Sequence, residues 1–317
     1  MDKINILLST DNNYVMPTGV LMHSIGMHNE PVNYFILVNE KFSPESKHDL
    51  IDVASQYNSH ISFYVVNDSI TKDLPFGTKK MPSHVTLATY YRLFLTKLLP
   101  SSIHKIIYLD GDMIVRHDIS HLWNTDIKDY AIGVVHDMDE KRHANLNRLP
   151  YPMQTGYFNA GMMLINLDYW RSHDCLASFI AFISEHADAI IYHDQDVLNS
   201  VLYDKKKWVP LTYNFQSGFL FNEKTTKYYP KSLDIEVAST MKDAAIIHFS
   251  TPTKPWMLDS FHPYTAAWRH YKALSKWKNV RLIGDNAQTF RKHVRNFLVR
   301  HNLWNLAVEY IKFTIRR

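Results

Sequence analysis

KIIYLDGDMIV, residues 105–115, is the stretch from which the rest of the chain can be read. Ile106, Ile107, Tyr108 and Leu109 form a short apolar run of buried-strand length. The run ends in two carboxylates, Asp110 and Asp112, separated only by Gly111. On extended backbone, residues two apart project to the same side. Two anions placed together at the end of a buried strand repel each other and are costly to desolvate. A divalent cation removes that cost. Hard ions such as Mn²⁺ or Mg²⁺ take carboxylate oxygens and complete their shell with substrate phosphates. Gly111 is expected to let a phosphate approach the backbone. A plain turn after a strand uses the same residue types, so other parts of the chain must decide.

Working outward, the chain has 317 residues, of which 46% are hydrophobic and 21% charged, an ordinary globular balance with ample material for a core. The net charge of +4 names no partner by itself. The single cysteine, Cys175, can form no intrachain disulfide, and a reducing compartment is expected. The opening MDKINILLST has too short an apolar run for a signal peptide, and no window approaches a spanning helix. A cytoplasmic location, or a peripheral one on the inner face of the cytoplasmic membrane, is therefore expected. No two of the nine glycines are spaced G-x-G, which excludes the dinucleotide fingerprint. Gly156 and Gly161 have the outer spacing of a P-loop, but Met162 stands where its lysine belongs.

Strands are expected at 4–8, 33–38 and 61–66, with helices at 17–28 and 43–57 between them. Ser43 reads as the N-cap of the second helix and Pro44 as its first residue. This alternation implies an α/β fold with a mostly parallel sheet covered on both faces. Ligands of such sheets gather at the carboxyl ends of the strands, where both Asp11 and Asp110 fall. A helix is expected at 86–98, a short one at 118–123, and a strand at 131–135. Residues 136–157 read as an irregular, functional loop. A strand at 162–165, helices at 175–187 and 196–203, a late strand at 245–249 and a helix at 264–277 complete the reading.

The main domain is drawn at 1–280 and a basic helical extension at 281–317. The extension holds eight basic and two acidic residues, leaving the remainder net negative. Its bases alternate with large apolar residues, which suits an anionic membrane surface, or packing on its own domain or a second subunit, rather than nucleic acid.

Several clusters carry chemistry. Asp11, Asn12, Asn13 and Tyr14 follow the first strand and suit a pyrimidine and its ribose, or else cap a helix. His248 ends a late strand, and an imidazole added to Asp110 and Asp112 favours Mn²⁺ over Mg²⁺. Lys254 supplies a cation six residues later. Asp194 and Asp196 flank Gln195, either as functional carboxylates or as a solvated helix cap.

Taken together, STDNNY at 9–14, ATYYRL at 88–93, YLDGDMIV at 108–115, YFNAGMMLINLDYWR at 157–171, HDQDVLN at 193–199 and HFSTPTKPW at 248–256 resemble the retaining glycosyltransferases of family 8. That family includes bacterial lipopolysaccharide α-galactosyl- and α-glucosyltransferases. The resemblance implies a GT-A, Rossmann-like fold and transfer of glucose or galactose from a UDP-sugar to a glycan hydroxyl, on a cell-surface polysaccharide or lipopolysaccharide core. It implies that Asp110, Asp112 and His248 hold Mn²⁺, with Mg²⁺ the alternative. Ser9, Asp11, Asn13 and Tyr14 would meet the nucleoside, and Arg92 the donor near its sugar. Asn159 and Asp194 would bind sugar hydroxyls, Gln195 would lie under the anomeric carbon, and Gly111, Thr251 and Lys254 would face the diphosphate. Thr251 departs from the glycine found in many members. Asp194 or Asp196 could act as a covalent nucleophile, or the acceptor could attack from the face that UDP leaves.

Rival readings are a catalytically silent UDP-sugar- or glycan-binding module and a transferase acting on a protein. A phosphatase of the D-x-D-x-T type is excluded by Ile114 at its threonine position. His117 and His121 have helical i, i+4 spacing for zinc, but no glutamate follows His117.

Overall fold

The computed structural model describes residues 3–67, 87–220 and 228–284. The chain forms two compact units, Met1–Ser250 and Thr251–Arg317.

In the first unit, β1 (Asn5–Ser9), β2 (Asn33–Asn39) and β3 (His60–Val66) alternate with α1 (Val15–His28) and α2 (Pro44–Gln56). Within α2, Pro44 opens the helix and the Ser43 hydroxyl accepts from Ser46 N–H at 3.0 Å, the expected cap. β4 (Lys105–Leu109), β6 (Ile132–His136), β7 (Phe158–Asn166) and β8 (Lys206–Trp208) complete a seven-stranded sheet in the order β3-β2-β1-β4-β7-β6-β8. Four of its six pairings are parallel; β7 runs antiparallel to both β4 and β6. Helices lie on both sides of this sheet. A second sheet joins β5 (Met113–Val115), β10 (Ile246–His248) and β9 (Phe215–Gln216).

The α1 sequence VMPTGVLMHSIGMH has no polar stripe, because the helix is buried on most of its circumference. Ser24 of α1 accepts from Val115 N–H at 3.0 Å, tying β5 to the helix. One large core runs from Leu7 and Phe35 through Ile106, Tyr108, Met163 and Ile165 to Trp170 and Phe179.

Three local expectations are corrected. Residues 87–94 are a 3₁₀-helix, followed by a single α-turn, Leu95–Leu98. Arg92, Leu93, Phe94 and Leu95 are buried in succession, so no exposed face imposes a 3.6-residue period. The segment expected to be irregular contains a helix, α3 (Glu140–Leu146), and a 3₁₀ turn, Met153–Thr155. Its inner contacts are polar, His136–Glu140 at 2.6 Å and His143–Asp137 at 3.5 Å, which is why apolar periodicity did not report it. The helix expected at 196 begins at 193: after α4 (Cys175–Glu185), α5 spans His193–Leu202 and carries Asp194, Gln195 and Asp196 in its first turn.

In the second unit, α6 (Thr265–Leu274) packs Trp268 against Trp256, ring centroids 5.6 Å apart. Lys272 Nζ closes the end of the helix on the Trp277 carbonyl at 2.8 Å. The boundary drawn at 280 falls inside this unit, and residues 285–317 of the expected basic extension lie outside the described residues. No helix among the described residues is long and apolar enough to cross a membrane.

Candidate metal and donor site

Sheet register assembles the site. β1 and β4 are parallel neighbours with Leu8 opposite Leu109, so Ser9–Tyr14 and Asp110–Asp112 leave the sheet side by side. β5 is antiparallel to β10 with Met113 opposite His248, which brings the imidazole beside the residue preceding Met113. One ligand atom from each of Asp110, Asp112 and His248 lies within 4.8 Å of the others. His248 Nε2 is 3.4 Å from Asp112 Oδ1. Two ligands about 2.2 Å from one octahedral cation stand about 3.1 Å apart, so this pair needs little adjustment to share one. Two carboxylates and a neutral imidazole are a fitting donor set for Mn²⁺.

The Asp110 carboxylate is oriented from below. Its Oδ1 accepts from Tyr108 Oη at 2.6 Å and from Arg92 at 3.0 Å. Arg92 is buried, lies over the Tyr108 ring at 4.2 Å, and donates to the Ala160 carbonyl at 2.8 Å. Its Nε stands 3.1 Å from Asp194 Oδ2 without an aligned hydrogen bond. Arg92 thus braces two carboxylates from within. Burial pushes the Asp194 carboxyl up to about 7, against the pull of Arg92 and with the push of Asp110.

A bulge supplies the site's backbone groups. Between Val134 and Val135 the β6–β7 register jumps from Met163 to Asn159, so Ala160, Gly161 and Met162 leave the β6 ladder. Ala160 N–H then donates to Gln195 Oε1 at 2.9 Å, Gly161 N–H to Asn159 Oδ1 at 3.0 Å, and the Gly161 carbonyl accepts from Asp110 N–H at 2.8 Å. Asn199 of α5 grips Phe158 through both backbone groups, at 2.8 and 2.9 Å, and so sets α5 against β7. Gly161 is demanded by His248: a Cβ there would lie 2.5 Å from the imidazole Cε1.

Two residues the sequence reading missed, Asn214 and Asp137, join His248, Asn159 and Gln195 in a connected hydrogen-bond path. His248 Nδ1 is 3.0 Å from Asn214 Oδ1, Asn214 Nδ2 donates to Asn159 Oδ1 at 3.0 Å, and Asn159 Nδ2 donates to Asp137 Oδ2 at 3.0 Å. Gln195 Nε2 donates to the same oxygen at 3.2 Å. Asp137 follows β6 directly and Asn214 precedes β9, positions that carried no motif.

Two site expectations need correction. Asp196 is fully buried, with both of its oxygens occupied. Its Oδ1 accepts from Arg148 at 2.7 Å and Tyr157 Oη at 2.6 Å; its Oδ2 accepts from Arg148 at 2.6 Å and from the N–H groups of Ile191 and Tyr192 at 2.7 and 2.6 Å. It is an anchor for the loop before α5, and neither it nor Asp194 is a solvated cap. Gly111 does not open a phosphate cradle on its Cα side: a Cβ there would meet Tyr14 Cδ1 at 3.1 Å and Thr18 Oγ1 at 3.3 Å, so it admits α1 instead.

Asp11 Oδ1 accepts from Asn13 and Tyr14 N–H at 2.9 and 3.0 Å, turning the chain into α1. Asn13 is exposed, and Tyr14 is half-buried, its hydroxyl pKa raised by burial and by Asp112, Asp110 and Asp11. Thr251 and Lys254 belong to the second unit, where Thr251 Oγ1 donates to the Thr253 carbonyl at 3.2 Å and Lys254 N–H meets Met257 Sδ at 3.4 Å. His117 pairs with Asp243 at 2.6 Å and precedes the helix that holds His121, so the zinc alternative finds no shared face.

The profile of the family described as Glycosyl transferase family 8 matches residues 5–259. General stress protein A of Bacillus subtilis is 30% identical over 87% of this chain and 96% of its own length. The lipopolysaccharide glucosyltransferase WaaO of Escherichia coli is 28% identical over 99% of this chain and 91% of its own. The galactosyltransferase LgtC, solved in complex with donor and acceptor sugar analogs, superposes with a TM-score of 0.75 at 24% identity, covering 86% of this chain and 96% of that one.

Proposed function

The chain belongs to glycosyl transferase family 8, and on that premise we propose that it is a Mn²⁺-dependent retaining hexosyltransferase. It moves glucose or galactose from a UDP-sugar to a hydroxyl of a bacterial surface glycan, such as a lipopolysaccharide core. The observation that carries the reading is the convergence of Asp110, Asp112 and His248 to within 4.8 Å. The glucosyltransferase and galactosyltransferase among the similar proteins support the substrate class.

The cation, when bound, would stabilise the charge growing on the departing diphosphate, so no protonated carboxyl is needed at the leaving oxygen. Asp110, Asp112 and His248 would hold it. Gln195 is half-buried, its amide held between Ala160 N–H and Asp137 where it would lie under an anomeric carbon, and Asp194 and Arg92 form a buried floor. With Asp196 inaccessible, attack by the acceptor from the face that UDP leaves is the favoured route to retention. Asp11, Asn13 and Tyr14 take the nucleoside. Thr251 and Lys254 are assigned to the diphosphate by sequence resemblance.

The test is turnover of a UDP-sugar panel with Mn²⁺ and oligosaccharide acceptors. Asp110→Asn and Asp112→Asn are expected to fold normally and to lose transfer by at least about a thousandfold. Normal turnover by both would refute the metal assignment. Calorimetry showing UDP-sugar binding with no turnover on any acceptor would favour the silent binding module.

The basic character of residues 281–317 supports docking on the anionic inner face of the membrane. Deleting residues 285–317, which leaves the Ile283 pairing with Trp256 and Leu258 in place, should reduce binding to anionic vesicles while sparing donor hydrolysis; unchanged binding would count against it.

A further inference from the structure

Asp137 sits outside the proposed ligand set, yet the side-chain amides of Asn159, Asn214 and Gln195 lead to it. It is buried, and its Oδ2 receives both Asn159 Nδ2 and Gln195 Nε2, at 3.0 and 3.2 Å. Its Oδ1 receives Asp139 N–H at 2.7 Å and faces His143 Nε2 at 3.5 Å. Burial alone would push its carboxyl up; His143, Asn159 and the Asp139 N–H outweigh that and hold it below the usual range. His143 is itself buried and stacked on Tyr157 at 3.9 Å.

An ionised carboxylate only accepts, whereas a carboxamide can turn over and exchange its donor and acceptor ends. The direction of each amide is therefore dictated by Asp137 at one end and, for Asn159 and Gln195, by the Gly161 and Ala160 N–H groups at the other. Asn159 must present nitrogen to Asp137, so its oxygen faces Gly161 N–H and Asn214. Asn214 must then present nitrogen to Asn159 and oxygen to His248. His248 is left to donate from Nδ1, which bares the Nε2 lone pair toward Asp112. The competing form, with Nε2–H toward Asp112, would require Asn214 to turn its oxygen against Asn159 Oδ1. On the other branch, Gln195 is held between Asp137 and Ala160 N–H, and turning it would set N–H against N–H and oxygen against oxygen.

We infer that Asp137 is a positioning residue that sets the polarity of the site: through Asn159 and Asn214 it holds His248 in the Nδ1–H tautomer with Nε2 open to a cation, and it holds Gln195 in one amide orientation. Ligating histidines are commonly oriented by a partner on their other nitrogen; here the orientation originates three side chains away. The cation's part in this rests on the metal reading above, but the tautomer does not.

The experiment is histidine-selective ¹⁵N NMR on the metal-free full chain at pH 8, with His248→Gln used to assign the signal, followed by Mn²⁺ titration. Wild-type protein is expected to show the Nδ1–H form. Asp137→Asn should show both tautomers, and Asn214→Leu, which cuts the path, should show the Nε2–H form. Each variant should bind Mn²⁺ roughly ten- to a hundredfold more weakly. Nδ1–H alone in both variants, or Mn²⁺ affinity within twofold of wild type in both, would overturn the inference. Should Asp137→Asn fail to fold, Asn214→Leu decides. Wild-type protein that binds no Mn²⁺ would sink the metal reading, while the tautomer comparison would still judge the polarity claim.

Discussion

At the scale of single residues, two positions separate holding a ligand from being one. Gly161 lies under the His248 ring, and a methyl group there would stand 2.5 Å from Cε1 and 2.9 Å from Nδ1. Gly161→Ala should tilt the imidazole and weaken Mn²⁺ binding at least about tenfold, or about 1.4 kcal/mol, with a normal circular dichroism spectrum. Unchanged Mn²⁺ affinity in an electron paramagnetic resonance titration would show that the ring has room to move. Asp196, by contrast, neutralises Arg148 through two bonds of 2.6 and 2.7 Å. Removing its charge leaves a largely buried guanidinium, and Asp196→Asn should cost about 3–5 kcal/mol of stability in denaturant melts. A variant as stable as wild type but inactive would restore the nucleophile role. The sequence displayed Asp194 and Asp196 as equivalent carboxylates; only Arg148, Tyr157 and two backbone N–H groups, supplied from elsewhere, distinguish them.

At the scale of elements, long periodic segments were legible and polar ones were not. α2 announced itself through Ser43, Pro44 and its half-apolar face. α3 did not, because Glu140 and His143 meet polar partners rather than a core. The bulge in β7 carried one sign, a glycine inside an apolar run, which often marks such a break. Strand β8, at the edge of the sheet, is anchored by Lys206, whose Nζ reaches the Tyr203 and Gly156 carbonyls at 2.8 and 3.2 Å. Burial pushes this ammonium down to about 8, against Glu140 and Asp204. Between that value and the free-chain value near 10.4 the unfolded state holds the additional proton, so stability rises with pH through this window and the penalty is fully present below it. Wild-type stability should therefore gain about 2 kcal/mol on the Lys206→Met variant between pH 7 and 9.5. Parallel pH profiles in urea melts would remove Lys206 as the cause.

At the scale of the whole molecule, the proposed metal site would link folding to cation binding. Asp110, Asp112 and His248 are brought together by two different sheets, so a cation that binds them binds the native state alone. Mn²⁺ at a hundred times its dissociation constant should stabilise the fold by about 2.7 kcal/mol, raising the melting temperature by roughly 4–5 °C. Asp112→Asn should abolish that shift; a shift of equal size in the variant would place the ion elsewhere. The alternation of strands and helices, the family, and the ends of the strands where the carboxylates lie were settled by sequence alone, because apolar period and short motifs are local properties of the chain. Which carboxylate is locked against Arg148, why Gly111 and Gly161 must be glycine, and the path from Asp137 to His248 were decided only by tertiary structure. Those depend on distances between residues up to 111 positions apart in the chain, and sheet register, not sequence spacing, sets such distances.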